Sequence, residues 1–166
     1  MQIKTERLYI REATLGDASF FFELMNSPGW IKYIGDRGIK SLDDAKTYIE
    51  SLNKGYTKNG FGLYLISDTS NSIGVCGLLK RDYLDYPDLG FALLPKYTGL
   101  GYIQEASAAV LKKAFKKLLL PKVLAITSKE NFASQSTLEK LGFEKMKLIK
   151  NPEGEEVLLY EKLKAV

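Results

Sequence analysis

A chain of 166 residues, 45% hydrophobic and 27% charged, has the composition of one globular domain, able to bury a core without disulfide or metal staples. The absence of histidine and the single Cys76 exclude Ser-His and Cys-His nucleophile pairs and leave no zinc or haem ligand set, so any general base is a carboxylate, tyrosine, lysine or water. The net charge of +4 makes no demand for nucleic acid, no apolar run reaches a bilayer span, and M-Q-I-K-T-E-R lacks a signal-peptide core, so the expected compartment is the cytoplasm and no membrane partner is expected.

In chain order, R-L-Y-I-R-E-A (residues 7–13) alternates apolar and polar positions and predicts a half-buried strand. Asp17 caps a helix carrying Phe20, Phe21, Leu24 and Met25, which N-S-P-G (26–29) stops; F-F-F at 20–22 reads as core. A second helix follows S-L-D-D (41–44), with Ala45, Tyr48, Ile49 and Leu52 on one face. F-G-L-Y-L-I-S-D (61–68) and I-G-V-C-G-L-L-K-R (73–81) form a hairpin about a polar turn, placing Cys76 in a strand as a buried thiol. L-G-F-A-L-L (89–94) is a further strand, ended by Pro95.

Residues 103–118 carry apolar side chains near a 3.6 period, with Glu105 near the start and Lys112, Lys113, Lys116 and Lys117 near the end, each complementing the helix dipole. The lysines read as a solvated helix face. K-V-L-A-I-T (122–127) is a short buried strand, S-Q-S-T-L-E-K-L-G-F a helix ended by Gly142, and the rest a strand pair around N-P-E-G (151–154). The order predicts an α/β chain of α+β type, a mixed sheet with helices on both faces. It lacks the three spaced glycines of a dinucleotide-binding Rossmann unit.

Between the strand ending at Leu94 and the long helix lies P-K-Y-T-G-L-G-Y-I-Q-E-A (95–106). Glycine permits positive φ and close ligand approach, and a helix start carries free N–H groups, so amides near Leu100, Gly101, Ile103 and Gln104 can converge on a phosphate. The plainer reading is a strand-to-helix turn.

Three segments together resemble the GCN5-related N-acetyltransferases (GNAT), most closely their RimJ/RimL-like ribosomal-protein branch: T-E-R-L-Y-I-R-E-A (5–13), the stretch from Asp88 to Ala106, and K-E-N-F-A-S-Q-S-T-L-E-K-L-G-F (129–143). The resemblance covers nearly the whole chain in family order. It implies a mostly antiparallel sheet with a splayed strand pair and acetyl-CoA as cosubstrate. The pyrophosphate would lie on the loop through Gly99, Leu100, Gly101, Ile103 and Gln104, and the pantetheine arm against backbone groups of Leu93 and Leu94 and against Asn131. The sequence departs from the family pattern at Thr98, where a cation or glutamine is usual, at Ile103, where Gly or Ala is usual, and at Leu138, where many members have an acid tyrosine.

The resemblance further implies Asp88 as base, acting through water, and Ser134 as acid for the departing thiolate. An exposed strand-end aspartate and a helix-capping pair Asn131/Ser134 are the plainer alternatives. Glu12 is a second base candidate, and Glu105 reads as structural. The segment G-W-I-K-Y-I-G-D-R (29–37) carries Trp30, Tyr33 and Arg37, which either shape the acceptor pocket or form a satellite cluster.

The implied reaction is direct acetyl transfer to a primary amine. A protein N-terminal α-amine is favoured, because its reference pKa near 7.8 makes deprotonation easier than lysine's near 10.4. The alternatives are a small-molecule amine acceptor (polyamine, amino acid or antibiotic) and a non-catalytic CoA-binding module. The oligomeric expectation is monomer or homodimer.

Overall fold

The computed structural model describes residues 2–166. Alternating or fully apolar runs build eight strands: β1 (Gln2–Lys4), β2 (Tyr9–Arg11), β3 (Leu63–Ser67), β4 (Ser72–Leu79), β5 (Asp88–Leu93), β6 (Lys122–Thr127), β7 (Glu144–Lys150) and β8 (Glu156–Leu163). They form one sheet in the order β1-β2-β3-β4-β5-β6-β8-β7. Every neighbouring pair is antiparallel except β5 and β6, which run parallel and share a single register pair, Asp88 with Leu124. Beyond that pair the two strands part, so the middle of the sheet contains a wedge-shaped gap.

The helices are α1 (Ala18–Met25), α2 (Pro28–Tyr33), α3 (Leu42–Asn59), α4 (Tyr102–Lys116) and α5 (Phe132–Lys140). Helix α3 has defined ends: the Ser41 hydroxyl accepts from the Asp44 amide at 3.1 Å, and Gly60 closes it at φ +78°, a conformation that disfavours residues with a Cβ. Helix α4 is the crossover that joins parallel β5 to β6.

Two cores flank the sheet. Val110, Leu111 and Ala114 of α4 and Leu138 of α5 pack with Ile66, Ile73, Cys76, Leu89 and Val123 on one side. Phe21, Leu24 and Met25 of α1, Trp30 of α2 and Ala45 and Ile49 of α3 pack with Leu65, Val75 and Leu94 on the other. Each large apolar side chain buried this way contributes about 1.5–3 kcal/mol. Along β5, Leu89, Phe91 and Leu93 belong to the α4 side while Ala92 belongs to the α1–α3 side. Asp88 is in phase with Ala92 and therefore faces α1–α3.

Two elements differ from the sequence expectation. The N-S-P-G stretch ends α1 but also starts α2: Ser27 is extended at the cap position and Pro28 occupies the first helical turn, where its missing N–H has no cost. Residues 29–33 are thus helix rather than loop. The short edge strand β1, paired with β2, was not expected, because three residues are too few to show a period.

Candidate active site

The glycine loop is held open by backbone geometry. Gly99 and Gly101 lie at φ +77° and +82°, and Gly101 caps α4 without any side-chain partner for the free amides of the first turn. Those amides and the positive end of the helix dipole form an anion cradle. Leu100 is 53% exposed at its tip, whereas Ile103 is half-buried and packs against the α4-side core. The Gln104 side chain is turned away, donating to the Thr137 carbonyl of α5 at 3.0 Å, so only its backbone can serve the cradle.

The loop is tied to the opposite end of the chain. Glu105 accepts from the Thr5 hydroxyl at 2.5 Å, the Arg7 amide at 2.8 Å and Arg7 Nε at 2.7 Å. Burial opposes ionisation of this carboxyl, but these three donors outweigh it and hold the pKa below the usual value. Arg7 also donates from Nη1 to the Leu100 carbonyl at 2.9 Å and lies over the Tyr102 ring. Thr98 uses its hydroxyl on the Pro95 carbonyl at 2.7 Å.

Next to the loop, the gap exposes the inner edge of β5. The Leu94 amide donates to the Ile73 carbonyl at 2.9 Å and its carbonyl accepts from Tyr97, so both backbone groups of Leu94 are engaged within the chain. Backbone direction alternates along a strand, so the groups of Leu93 and Phe91 point into the gap. The sequence expectation that Leu94 shares this role is therefore replaced by Phe91 with Leu93. Directly after β6, the Ser128 hydroxyl is buried with no hydrogen-bond partner among the described residues. Free strand amides and an orphaned hydroxyl fit an extended polar chain such as a pantetheine arm.

Helix α5 begins on the β6 side. Asn131 Oδ1 accepts from the Ser134 amide at 3.1 Å, so Asn131 caps the helix, and its Nδ2 is the group left for a ligand. Ser134 is half-buried, and no partner for its hydroxyl occurs among the described residues. Leu138 is 1% exposed in the core and offers neither space nor chemistry for an acid.

Asp88 stands at the closed end of the gap. It is 1% exposed, and Arg81 Nε donates to both carboxylate oxygens at 3.0 and 3.1 Å. Desolvation raises its pKa and Arg81 pulls it back, leaving it at about 6. A carboxyl so placed is ionised at neutral pH yet basic enough to take a proton. The exposed strand-end alternative does not describe this residue. Glu12, by contrast, lies on the segment after β2, remote from this register pair in the sheet order.

Around Asp88, side chains from distant segments converge. The Tyr83 phenol interacts with Arg81, Asp88 and Glu153, and the Tyr48 phenol of α3, raised by burial, senses both Arg37 and Arg81. Tyr83 and Asp85 from the β4–β5 loop, Leu124 of β6, Lys147 and Ile149 of β7 and Leu159 of β8 line a cavity of about 230 Å³. No local sequence pattern marks this cavity, since its walls come from four separated segments. Of the expected acceptor residues, Arg37 and Tyr33 are exposed. Trp30 is not displayed on a loop: helix α2 turns it inward to 4% exposure, with its indole N–H buried and unpartnered among the described residues.

Cys76 is completely buried beside the Ser107 hydroxyl at 3.5 Å, and burial pushes its thiol up to about 12, so it is no nucleophile. No helix among the described residues is long and apolar enough to cross a membrane.

The family described as Acetyltransferase (GNAT) domain matches residues 7–144. The uncharacterized N-acetyltransferase YnaD of Bacillus subtilis (strain 168) is 30% identical over 158 residues, 94% of this chain and 91% of that protein. The crystal structure of an acetyltransferase from Agrobacterium tumefaciens str. C58 superposes with a TM-score of 0.84 at 26% identity, covering 98% and 94% of the two chains. RimL, a ribosomal L7/L12 alpha-N-protein acetyltransferase in complex with coenzyme A, shares the fold at a TM-score of 0.86 and 15% identity, covering 98% of each chain. From its cradle, its gapped sheet and its family match, the chain belongs to the GNAT acetyltransferases and is an acetyl-CoA-dependent acyltransferase.

Proposed function

We propose that this single-domain protein transfers acetyl from acetyl-CoA to the α-amine of a polypeptide N-terminus, as a RimJ/RimL-like member of its family. The observation that carries the reading is the buried Asp88 carboxyl at about pKa 6, at the closed end of the gap and beside the cavity. Proton transfer to this group from an α-ammonium is uphill by roughly 2.5 kcal/mol, and from a lysine ammonium by roughly 6, using reference pKa values of 7.8 and 10.4.

In this reading the pyrophosphate rests on the amides of residues 99–104 and the pantetheine arm runs along Leu93 and Phe91, reaching Asn131 Nδ2 across the gap. The acceptor amine enters past Tyr83, with Tyr33 and Arg37 on the helix side of the approach. Asp88 takes its proton, directly or through a water, and the neutral nitrogen attacks the thioester carbon. A backbone amide of β5 facing the gap stabilises the oxyanion, an effect of about 3 kcal/mol in other enzymes. The C–S bond breaks, the remaining extra proton of the attacking nitrogen passes through the Ser134 hydroxyl to the thiolate, and the N-acetyl product and CoA leave. No acyl-enzyme forms.

The support from known proteins is that RimL and a ribosomal-protein-S5-alanine acetyltransferase from Vibrio fischeri carry this fold. A small-molecule amine is the second reading, favoured by the size of the cavity: at about 30 Å³ per water it holds about eight water-sized groups. The test is CoA release with acetyl-CoA and a panel of N-terminal peptides, the same peptides with blocked α-amines, polyamines, amino acids and aminoglycosides. Release with free N-termini and none with blocked ones is expected. Release with small amines alone moves the acceptor to the second reading, and CoA binding without amine-dependent release makes the protein a CoA-binding module.

A further inference from the structure

Thr98 stands where the resemblance calls for a phosphate-binding cation, and its hydroxyl is committed to the Pro95 carbonyl. A cation is nevertheless present at the loop, supplied by the link between β1 and β2. We propose that Arg7 is the phosphate-binding cation of this protein, its guanidinium donating from Nη2 to the CoA pyrophosphate; the proposal rests on the reading that the glycine loop binds acetyl-CoA.

The geometry is specific. Arg7 is fixed by Nε on Glu105 at 2.7 Å, by Nη1 on the Leu100 carbonyl at 2.9 Å and by its position 4.5 Å above the Tyr102 ring. Nη2 has no hydrogen-bond partner among the described residues, and it lies 3.3 Å from the point a Cβ on Gly101 would occupy. The free edge of the fork therefore borders the residue that caps the anion cradle. The side chain is 42% exposed, leaving that edge open to a ligand. All three neighbours that set this orientation belong to the loop and helix that would receive the phosphate, so the side chain is ordered before binding and loses little rotamer freedom.

Charge accounts for the arrangement as well. Glu105 lies in the first turn of α4, where its carboxylate would repel a phosphate if left alone. Arg7, the Thr5 hydroxyl and the Arg7 amide engage that carboxylate, and the remaining guanidinium edge presents donors to the loop. Thr5, Arg7 and Glu105 are in this view one device that converts an acidic helix start into a phosphate-binding one.

The experiment measures Kd by calorimetry for acetyl-CoA, acetyl-dephospho-CoA and acetyl-pantetheine with wild type, Arg7→Gln, Arg7→Lys and the double variant Arg7→Gln/Thr98→Arg. Loss of a charged hydrogen bond predicts a tenfold or larger weakening of both phosphate-bearing donors by Arg7→Gln. Acetyl-pantetheine, which has no pyrophosphate, should keep its affinity. The salt dependence of acetyl-CoA binding should flatten, and Thr98→Arg should restore part of the affinity. Should Arg7→Gln not fold, Arg7→Lys serves: it keeps the charge, loses the fork and should weaken the phosphate-bearing donors alone. Equal weakening of all three donors, or of none, overturns the proposal and leaves Arg7 a purely structural ion pair. Weakening confined to acetyl-CoA, absent with acetyl-dephospho-CoA, overturns the assignment to the pyrophosphate. Wild type that binds no acetyl-CoA overturns the donor-site reading itself.

Discussion

The proposed donor side and the proposed acceptor side of this molecule are built from different materials. The donor side is mostly backbone, with positive-φ glycines, free amides at the start of α4 and the inner edge of β5, to which Arg7 and Asn131 add side chains. The acceptor side is made of side chains, with Arg81, Tyr83, Asp88, Lys147 and Leu159 brought together from loops and strands distant in sequence. A backbone site tolerates substitution and serves one ligand across a family. A side-chain site can change its guest residue by residue while the sheet stays as it is.

The sharpest break in that comparison is Asp88→Asn. Loss of a general base should lower kcat about 10²- to 10⁴-fold while acetyl-CoA affinity is kept. In wild type the rate should fall as pH drops through about 6, where Asp88 gains its proton, and the variant should lack that inflection. Stability has the opposite sign. The folded pKa is raised, so the group's contribution is fully present below about pH 4 and is lost as pH rises through about 6. Asp88→Asn should therefore unfold at no lower temperature than wild type at pH 7, which thermal melts across this range would check.

On the donor side, Gly101→Asp places a carboxylate at the mouth of the cradle. The rise in Tm at saturating acetyl-CoA, worth about 2.7 kcal/mol at 100 times Kd, should be abolished. A preserved shift would remove the loop from the donor site.

Glu105→Ala should act on the frame rather than the chemistry. It removes the acceptor of three hydrogen bonds and should reduce stability by roughly 1–3 kcal/mol, a Tm loss of several degrees for a chain of this size. Its carboxyl pKa is depressed, so its contribution exists above the ordinary glutamate value and disappears as pH falls below it.

The smallest effect expected is that of Tyr83→Phe, which deletes one hydroxyl interaction with Arg81 at the cavity wall. Acceptor KM should rise about fivefold, in line with a single hydrogen bond near 1 kcal/mol, with donor KM unchanged. A donor effect of similar size would show that the two sides are not separable.

The same contrast explains what the sequence disclosed. The loop at 95–106 was legible because glycine spacing and a helix start are local signals, and β6 was placed at its observed ends because its apolar run is uninterrupted. Asp88 stands out as a candidate through the family resemblance and its place at the start of a strand, but its burial and its Arg81 partner depend on the β4–β5 turn and are not local signals. Helix α2 is hidden in the sequence because Pro28 reads as a stop, although proline also favours a first helical turn. The inward turn of Trp30 follows from the same helix. The cavity walls leave no local signal because β7 and β8 meet the β4–β5 loop only in three dimensions.

The single register pair between β5 and β6 has a further consequence. It divides the sheet into two wings, β1 to β5 and β6 to β8, held together in the strand plane by one rung. The wing edge at Phe91 and Leu93 is an open β edge inside the molecule, and open edges invite pairing with other chains. In the proposed reading a pantetheine arm, with its two amides, lies along this edge as a surrogate strand. Donor binding would then stitch the wings into one continuous sheet, so that the protein's resistance to self-association would depend on its own substrate.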